Sequence, residues 1–387
     1  MAFEFVKEQL VSRKQQQLLR TRRCQSSAQG RVIDIAGERL LNFSSNDYLG
    51  LSHHPKVINA WKKGAEKYGV GSGGSPLVTG FQTPHYALEQ QLCEWQGRTG
   101  ALLFNSGFSA NQAVIKALFK KGDLLVQDKL NHASLLEAGM LCEAQQKRFA
   151  HNDIDQLNHR LSSHGNNKLV VTEGVFSMDG DLSPLKEISS LCKHHNAWLM
   201  VDDAHGVGCL GAQGRGSISD ANMRAEDAQI HMFTFGKALG VSGAAVLCDE
   251  ELKDYLVNFS KSYVYSTAMP AAQACAVSAA IKVVRTEPEF QTKLQNNIGL
   301  FKRLAEQLGL TLANSNTAIQ PILLGSSERA LAISQQLQEK GFFVSAIRPP
   351  TVPKNTARLR ITLSSHHSTQ DISDLLTVLV GLLSGEK

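Results

Sequence analysis

Trp198-Leu199-Met200-Val201-Asp202-Asp203-Ala204-His205-Gly206 is a short apolar run with no polar alternation, closed by two carboxylates and a histidine. A run of that kind suits a strand buried on both faces, as in a parallel sheet covered by helices. Open α/β sheets bind their ligands beyond the carboxyl ends of such strands, which is where Asp202 and His205 fall. Lys237 follows 35 positions after Asp202, in Thr234-Phe235-Gly236-Lys237-Ala238-Leu239-Gly240, again at the end of an apolar run.

Outward from these segments the pattern repeats. Apolar runs at 101–104, 124–127, 169–172, 231–235 and 244–247 alternate with helix-length stretches, which predicts an α/β core with a mostly parallel sheet. Residues 3–23 read as a charged, Gln-rich amphipathic helix with Phe5, Leu10, Leu18 and Leu19 on its sparse apolar side, and short strands are expected at 32–35 and 40–43. Beyond about 285 the order is strand 319–324, helix 328–340, strand 342–346, strand 358–362 and a closing helix from 369. That order reads as a smaller α+β domain whose Pro349-Pro350 and Pro353 shape a loop. The expected divisions are 1–45, a large domain 46–285 and a small C-terminal domain 286–387.

Composition narrows the class. Hydrophobic content of 42% with 19% charged residues is that of a globular enzyme, which excludes a disordered chain. A net charge of +5, with basic residues clustered only at Arg20, Arg22 and Arg23, favours an acidic small molecule over nucleic acid. Seven cysteines in no Cys-x-x-Cys or metal-ligand spacing suit a reduced cytoplasm and predict no metal. The N-terminus lacks a basic start followed by an apolar run, and no apolar stretch approaches the roughly 20 residues of a membrane span, so neither a secretory signal nor a membrane partner is expected.

Most lysines are solvated cations and most Asp-Asp pairs are caps or loop residues. A lysine among small residues together with an acid at a strand end is more telling, because it provides an amine in a cleft and a partner for a protonated pyridine nitrogen. That is the chemistry of pyridoxal 5'-phosphate. Asn105-Ser106-Gly107-Phe108-Ser109-Ala110-Asn111 follows a strand and opens a helix, so its backbone N–H groups suit a phosphate, although a plain Gly-containing turn has the same appearance. Gly71-Ser72-Gly73-Gly74-Ser75 is a second permissive stretch. In Asn131-His132-Ala133-Ser134 an imidazole is placed to lie on a cofactor ring or simply to cap a helix. His53-His54, His194-His195 and His366-His367 have no metal spacing and are expected at the surface.

Six ordered segments carry a family resemblance: Asn42 to Leu51, Gly71 to Ser75, Thr172 to Gly180, Asp202 to Gly206, Thr234 to Gly240, and Arg348-Pro349-Pro350-Thr351-Val352-Pro353. The chain closely resembles the α-oxoamine synthases, fold-type I pyridoxal-phosphate enzymes, and among them the biotin-synthesis branch. The match runs from about Asn42 to Leu363. The resemblance implies a mostly parallel seven-stranded sheet in the large domain.

By that resemblance Lys237 carries the cofactor covalently, Asp202 pairs with the pyridine nitrogen, His205 bonds the phenolic oxygen and His132 stacks on the ring. Ser177 approaches the same oxygen, and Thr234 with the backbone of Gly107 and Phe108 holds the phosphate. Asn46, His132 and Arg360 receive an amino acid carboxylate, and Thr351 and Arg20 lie near the acyl substrate. Ser266 and Thr267 reach the phosphate in a neighbouring subunit, which implies a homodimer with sites at its interface. The implied substrates are L-alanine and a pimeloyl thioester, on coenzyme A or on acyl carrier protein. Alternatives are a sister synthase such as glycine C-acetyltransferase, an aminotransferase, and a non-catalytic synthase subunit, against which Lys237, Asp202 and His205 all speak.

Overall fold

The computed structural model describes residues 2–385. The chain divides into two compact units, one of Leu49–Ser177 and Asp181–Thr292, the other of Met1–Tyr48, Met178–Gly180 and Lys293–Lys387. Strands are numbered along the chain: β1 (Val32–Ile35), β2 (Glu38–Asn42), β3 (Gly100–Phe104), β4 (Leu124–Asp128), β5 (Gln145–Phe149), β6 (Lys168–Glu173), β7 (Trp198–Asp202), β8 (Ile230–Thr234), β9 (Ala244–Cys248), β10 (Ile319–Gly325), β11 (Phe342–Phe343), β12 (Ser345–Ile347) and β13 (Ala357–Thr362).

The larger unit is the expected α/β body, a seven-stranded sheet of order β3-β9-β8-β7-β6-β4-β5. Its inner strands are largely apolar because both faces are covered, whereas the edge strand β5 is polar and mostly open to solvent. Leu125, Leu169, Val171 and Met200 pack into one cluster with Ala113 and Val114 of the helix Gly107–Leu118. Their neighbours Leu124, Val126, Val170, Leu199 and Val201 turn to the other face, against Leu157 and Ile188. Each such side chain contributes about 1.5–3 kcal/mol when fully buried, so a Leu199→Ala change would cost about 2–5 kcal/mol.

The pairs β4–β5, β4–β6, β6–β7 and β7–β8 are parallel, whereas β9 runs antiparallel to both β8 and β3. The reason is connection length: parallel neighbours need a crossover of about a dozen residues or more. Only the nine residues 235–243 join β8 to β9. Lys237 therefore sits in a hairpin connection at the carboxyl end of β8.

In the smaller unit, β1 and β2 pair antiparallel with β11 alongside β2, and β10-β13-β12 form a second sheet. The helices Ser327–Glu339 and Thr369–Ser384 complete it, the latter opened by a Ser368/Asp371 capping box and tied to Arg31 through two hydrogen bonds at Asp371. The expected strand 342–346 is split, since Phe342–Phe343 pairs with β2 and Ser345–Ile347 with β13.

The N-terminal helix is shorter than expected, Phe5–Gln15, and buries no residue. Gln17 adopts φ 56°, both Leu18 and Leu19 N–H groups close back on the Arg13 carbonyl, and Arg348 takes the Gln17 carbonyl. A helix with no face to bury has little beyond local propensity to extend it. His367 also departs from expectation: it is 1% exposed, stacks on Phe43 at 4.0 Å and bonds the Asn42 carbonyl. Burial lowers its pKa to about 4, which keeps it neutral inside the unit.

Candidate active site

The carboxyl ends of four neighbouring strands carry most of the larger unit's chemistry. In sheet order, β8 leads to Lys237, β7 ends at Asp202 and leads to His205, β6 leads to Ser177 and β4 leads to His132. This is the sheet edge at which α/β proteins bind ligands.

Asp202 is 4% exposed. Its Oδ2 accepts from Asn111 Nδ2 at 2.8 Å and its Oδ1 from the Ala204 N–H at 3.1 Å. Asn111 also donates to Ser134 Oγ at 2.9 Å. Ser134 in turn approaches His132 Nδ1 through its hydroxyl at 2.8 Å and its N–H at 3.2 Å. With both groups donating to Nδ1, the hydrogen of neutral His132 lies on Nε2. Desolvation holds His132 below the ordinary histidine value, with Asp202 pulling the other way and Lys237 adding to the depression.

Lys237 Nζ lies 2.7 Å from His205 Nε2. The turn that presents the lysine is closed by the Gly240 N–H on the Lys237 carbonyl. Gly240 has φ 67°, and a Cβ there would strike the backbone of Leu51 and Ser52, so only glycine fits. Thr234 Oγ1 donates to the Gly243 carbonyl and accepts from the Gly236 N–H, fixing both ends of the hairpin connection. Ser106 caps the helix Gly107–Leu118 by accepting from the Ser109 N–H, and the ideal Cβ position of Gly107 lies 3.7 Å from Thr234 Cβ.

Residue-by-residue reading of the sequence passed over the residues behind this edge. Asp203, fully buried, accepts from Ser217 N–H at 2.7 Å, Ser217 Oγ at 2.7 Å and His231 Nε2 at 3.2 Å. Its carboxylate lies in a socket walled by Gly174, Gly206 and Gly216, where any Cβ would collide with it. That anchor fixes the backbone between Asp202 and His205. His151 bridges Asp128 and Asp181 and meets the edge of Phe176, one residue before Ser177. Nothing in a linear sequence marks these partners, because each comes from a different strand end.

The remaining expected residues are distributed as follows. Ser177 is half-buried, Phe108 is 43% exposed, and Ser266 and Thr267 are exposed, the Thr267 carbonyl accepting from Asn105 Nδ2 at 2.7 Å. In the smaller unit, buried Arg360 on β13 donates to Asn46 Oδ1 and Thr362 Oγ1, each at 3.1 Å. Arg20 donates to Thr351 Oγ1 at 2.8 Å beside an open cleft of about 660 Å³ that Arg348 also lines. Burial, with Arg20 nearby, lowers the pKa of Arg348. Arg348, quoted from sequence only as part of its motif and given no role there, thus lies beside Arg20 at this cleft.

The donor set of the larger unit fits pyridoxal 5'-phosphate. A buried carboxylate with a satisfied hydrogen-bond shell suits a protonated ring nitrogen. Asn111, the partner of that carboxylate, lies about one turn into the helix whose first-turn N–H groups at Gly107 and Phe108 suit a phosphate. Lys237 presents an amine at the same sheet edge, of the kind that suits covalent attachment. Among the described residues no cluster of three or more metal-ligating side chains is present, and no helix is long and apolar enough to cross a membrane.

Comparison with known proteins agrees with this chemistry. The family described as Aminotransferase class I and II matches residues 38–379. The 8-amino-7-oxononanoate synthase of Photobacterium profundum is 50% identical over 98% of this chain and 97% of its own length. The enzyme of the same name from Pectobacterium atrosepticum is 52% identical over 96% of both chains. A solved serine palmitoyltransferase from S. paucimobilis, with bound pyridoxal phosphate and myriocin, superposes with a TM-score of 0.93 at 27% identity, covering 100% of this chain and 98% of that one. The chain therefore belongs to the class I and II aminotransferase family of fold-type I, pyridoxal 5'-phosphate-dependent enzymes, and within it to the 8-amino-7-oxononanoate synthases, as a pyridoxal-phosphate-dependent acyltransferase.

Proposed function

We propose that the protein joins L-alanine to a pimeloyl thioester, releasing carbon dioxide and the carrier thiol and giving 8-amino-7-oxononanoate for biotin synthesis. The observation that carries this reading is the Lys237–His205 contact beside the buried, hydrogen-bonded Asp202, in a chain half identical to synthases of that name. The bound cofactor supplies an electron sink for the pair left on alanine Cα when a proton, and later carbon dioxide, departs.

The chain's own groups do the rest. Asp202 keeps the ring nitrogen protonated, because a buried anion favours the charged form of its partner. Lys237 Nζ is the attachment point and, once released, the base that takes the Cα proton, while His205 beside it orients that amine and bonds the phenolic oxygen with Ser177. Thr234, Gly107 and Phe108 hold the phosphate, and Ser266 and Thr267 serve that of the partner subunit in a homodimer. Asn46, His132 and Arg360 receive the alanine carboxylate, and His132 Nε2–H is a donor for the thioester carbonyl oxygen, where negative charge develops. A pimeloyl chain ends in a carboxylate, for which Arg20, beside Arg348 and Thr351, is a suitable partner. The proposed division is an N-terminal segment 1–45, a large domain 46–285 and a small C-terminal domain 286–387.

The test is stoichiometric. With alanine and pimeloyl-coenzyme A, one thiol and one carbon dioxide should appear per molecule of amino-ketone. Thiol release without carbon dioxide would mean simple thioester hydrolysis and would overturn the reading.

A further inference from the structure

Glu173 closes β6 directly beside Asp202 on β7, the two being register partners at the same sheet edge. Both are buried, at 2% and 4% exposure. Two carboxyl groups so placed cannot both be ionised at modest cost, since each charge opposes the other in a low-dielectric setting.

Their hydrogen-bond shells differ. Asp202 has the Asn111 amide and the Ala204 N–H on its two oxygens, with His132 and Lys237 nearby. Glu173 accepts from the backbone N–H groups of His132 and Ser177, while its Oε1 is buried with no partner. A buried anionic oxygen without a donor is far costlier than the same atom on a neutral acid.

We propose that Glu173 is a positioning residue that holds a proton at neutral pH, bracing the segments of His132 and Ser177 while leaving Asp202 the ionised member of the pair. The groups facing it are Asp202 from β7, Lys237 from the β8–β9 connection and His132 from the segment after β4. Burial, reinforced by Asp202, pushes its carboxyl well above the usual range, and Lys237 only partly offsets this. Burial also raises Asp202, but Lys237, Asn111, His132 and the Ala204 N–H all act against the rise. A second carboxylate here would compete with Asp202 for the local positive charge of Lys237. A neutral acid keeps the backbone contacts without that competition.

Infrared difference spectroscopy on the purified protein, with and without cofactor, tests this directly. Wild type minus E173Q at pH 7 should show the C=O stretch of a protonated carboxylic acid and no carboxylate pair; carboxylate bands in its place would overturn the proposal. Glutamine keeps a carbonyl acceptor, so E173Q should bind pyridoxal phosphate within about threefold of wild type and leave the pH midpoint of its visible absorption unmoved, whereas E173A should weaken binding about tenfold or more. Equal loss in E173Q and E173A would also sink it. A variant-free reading uses wild type labelled with ¹³C at glutamate carboxyls. Among the described residues Glu89 is also strongly raised by burial, to about 8, so at pH 7 the protonated-glutamate signal should exceed that of Glu89 alone. A signal no larger than that of Glu89 alone would contradict the assignment.

Discussion

Lys237 Nζ and His205 Nε2 stand 2.7 Å apart, joined across the carboxyl ends of β8 and β7. The contact holds the amine against a ring that is 7% exposed, and an amine held in place needs little reorganisation to act as a nucleophile or a base. Both ends of the contact depend on backbone features, the tight turn at Gly240 on one side and the Asp203 socket on the other.

Lys237→Ala removes attachment point and base together, so turnover should fall to background. Borohydride treatment followed by peptide mapping should trap the cofactor on Lys237 in wild type and nowhere in the variant. Stable trapping on another lysine would refute the assignment.

Asp202→Asn should retain the cofactor but lower turnover by about 10²-fold or more, equivalent to about 2.7 kcal/mol of lost transition-state stabilisation. Absorbance checks retention and steady-state kinetics checks the loss. Near-normal turnover would mean that another group protonates the ring nitrogen.

The fold was legible where local pattern suffices. Continuous apolar runs identify strands covered on both faces, and β4, β6, β7 and β8 lie where the runs predict. The same pattern does not distinguish parallel from antiparallel neighbours, so the reversal of β9 emerges only from the short 235–243 connection. Phe342 to Ala346 reads as one strand because pairing partners are non-local, yet its residues serve two sheets. His367 looks like half of a surface pair until Phe43 and the Asn42 carbonyl enclose it. At the site, Lys237, Asp202 and His205 stand out by residue type and spacing. Asn111, Asp203 and Glu173 do not, since their meaning lies in which neighbouring strand ends they meet.

His151 gives the larger unit a pH signature. Desolvation opposes its charge, but its hydrogen bonds to Asp128 and Asp181 outweigh that and raise its pKa to about 10. A raised folded-state pKa contributes stability that is fully present below the unfolded value of about 6.5 and is lost as pH rises through the folded value. The urea midpoint of His151→Gln should therefore lie furthest below that of wild type near pH 6, and the gap should narrow toward pH 10. A gap that widens with pH would reverse the sign of the account.

Arg360→Ala should raise the alanine KM roughly 10- to 100-fold, the worth of a charge-assisted hydrogen bond, and change the thioester KM much less. Because Arg360 also holds Asn46 and Thr362, the melting temperature should be recorded alongside. An effect confined to the thioester would move Arg360 to the acyl side.

The central claim is the pairing of alanine with a pimeloyl thioester, and all related synthases share the ring-binding set, so the acyl end must decide it. Thr351 follows Pro349-Pro350 and receives Arg20, a loop with little freedom left to lose on binding. The most direct measurement is kcat/KM for alanine, glycine and serine against pimeloyl, acetyl and succinyl thioesters. Alanine with pimeloyl thioester should exceed every other pairing by at least about tenfold, or about 1.4 kcal/mol in transition-state binding. A clear preference for glycine with acetyl or succinyl thioester would contradict the account and assign the protein a sister activity.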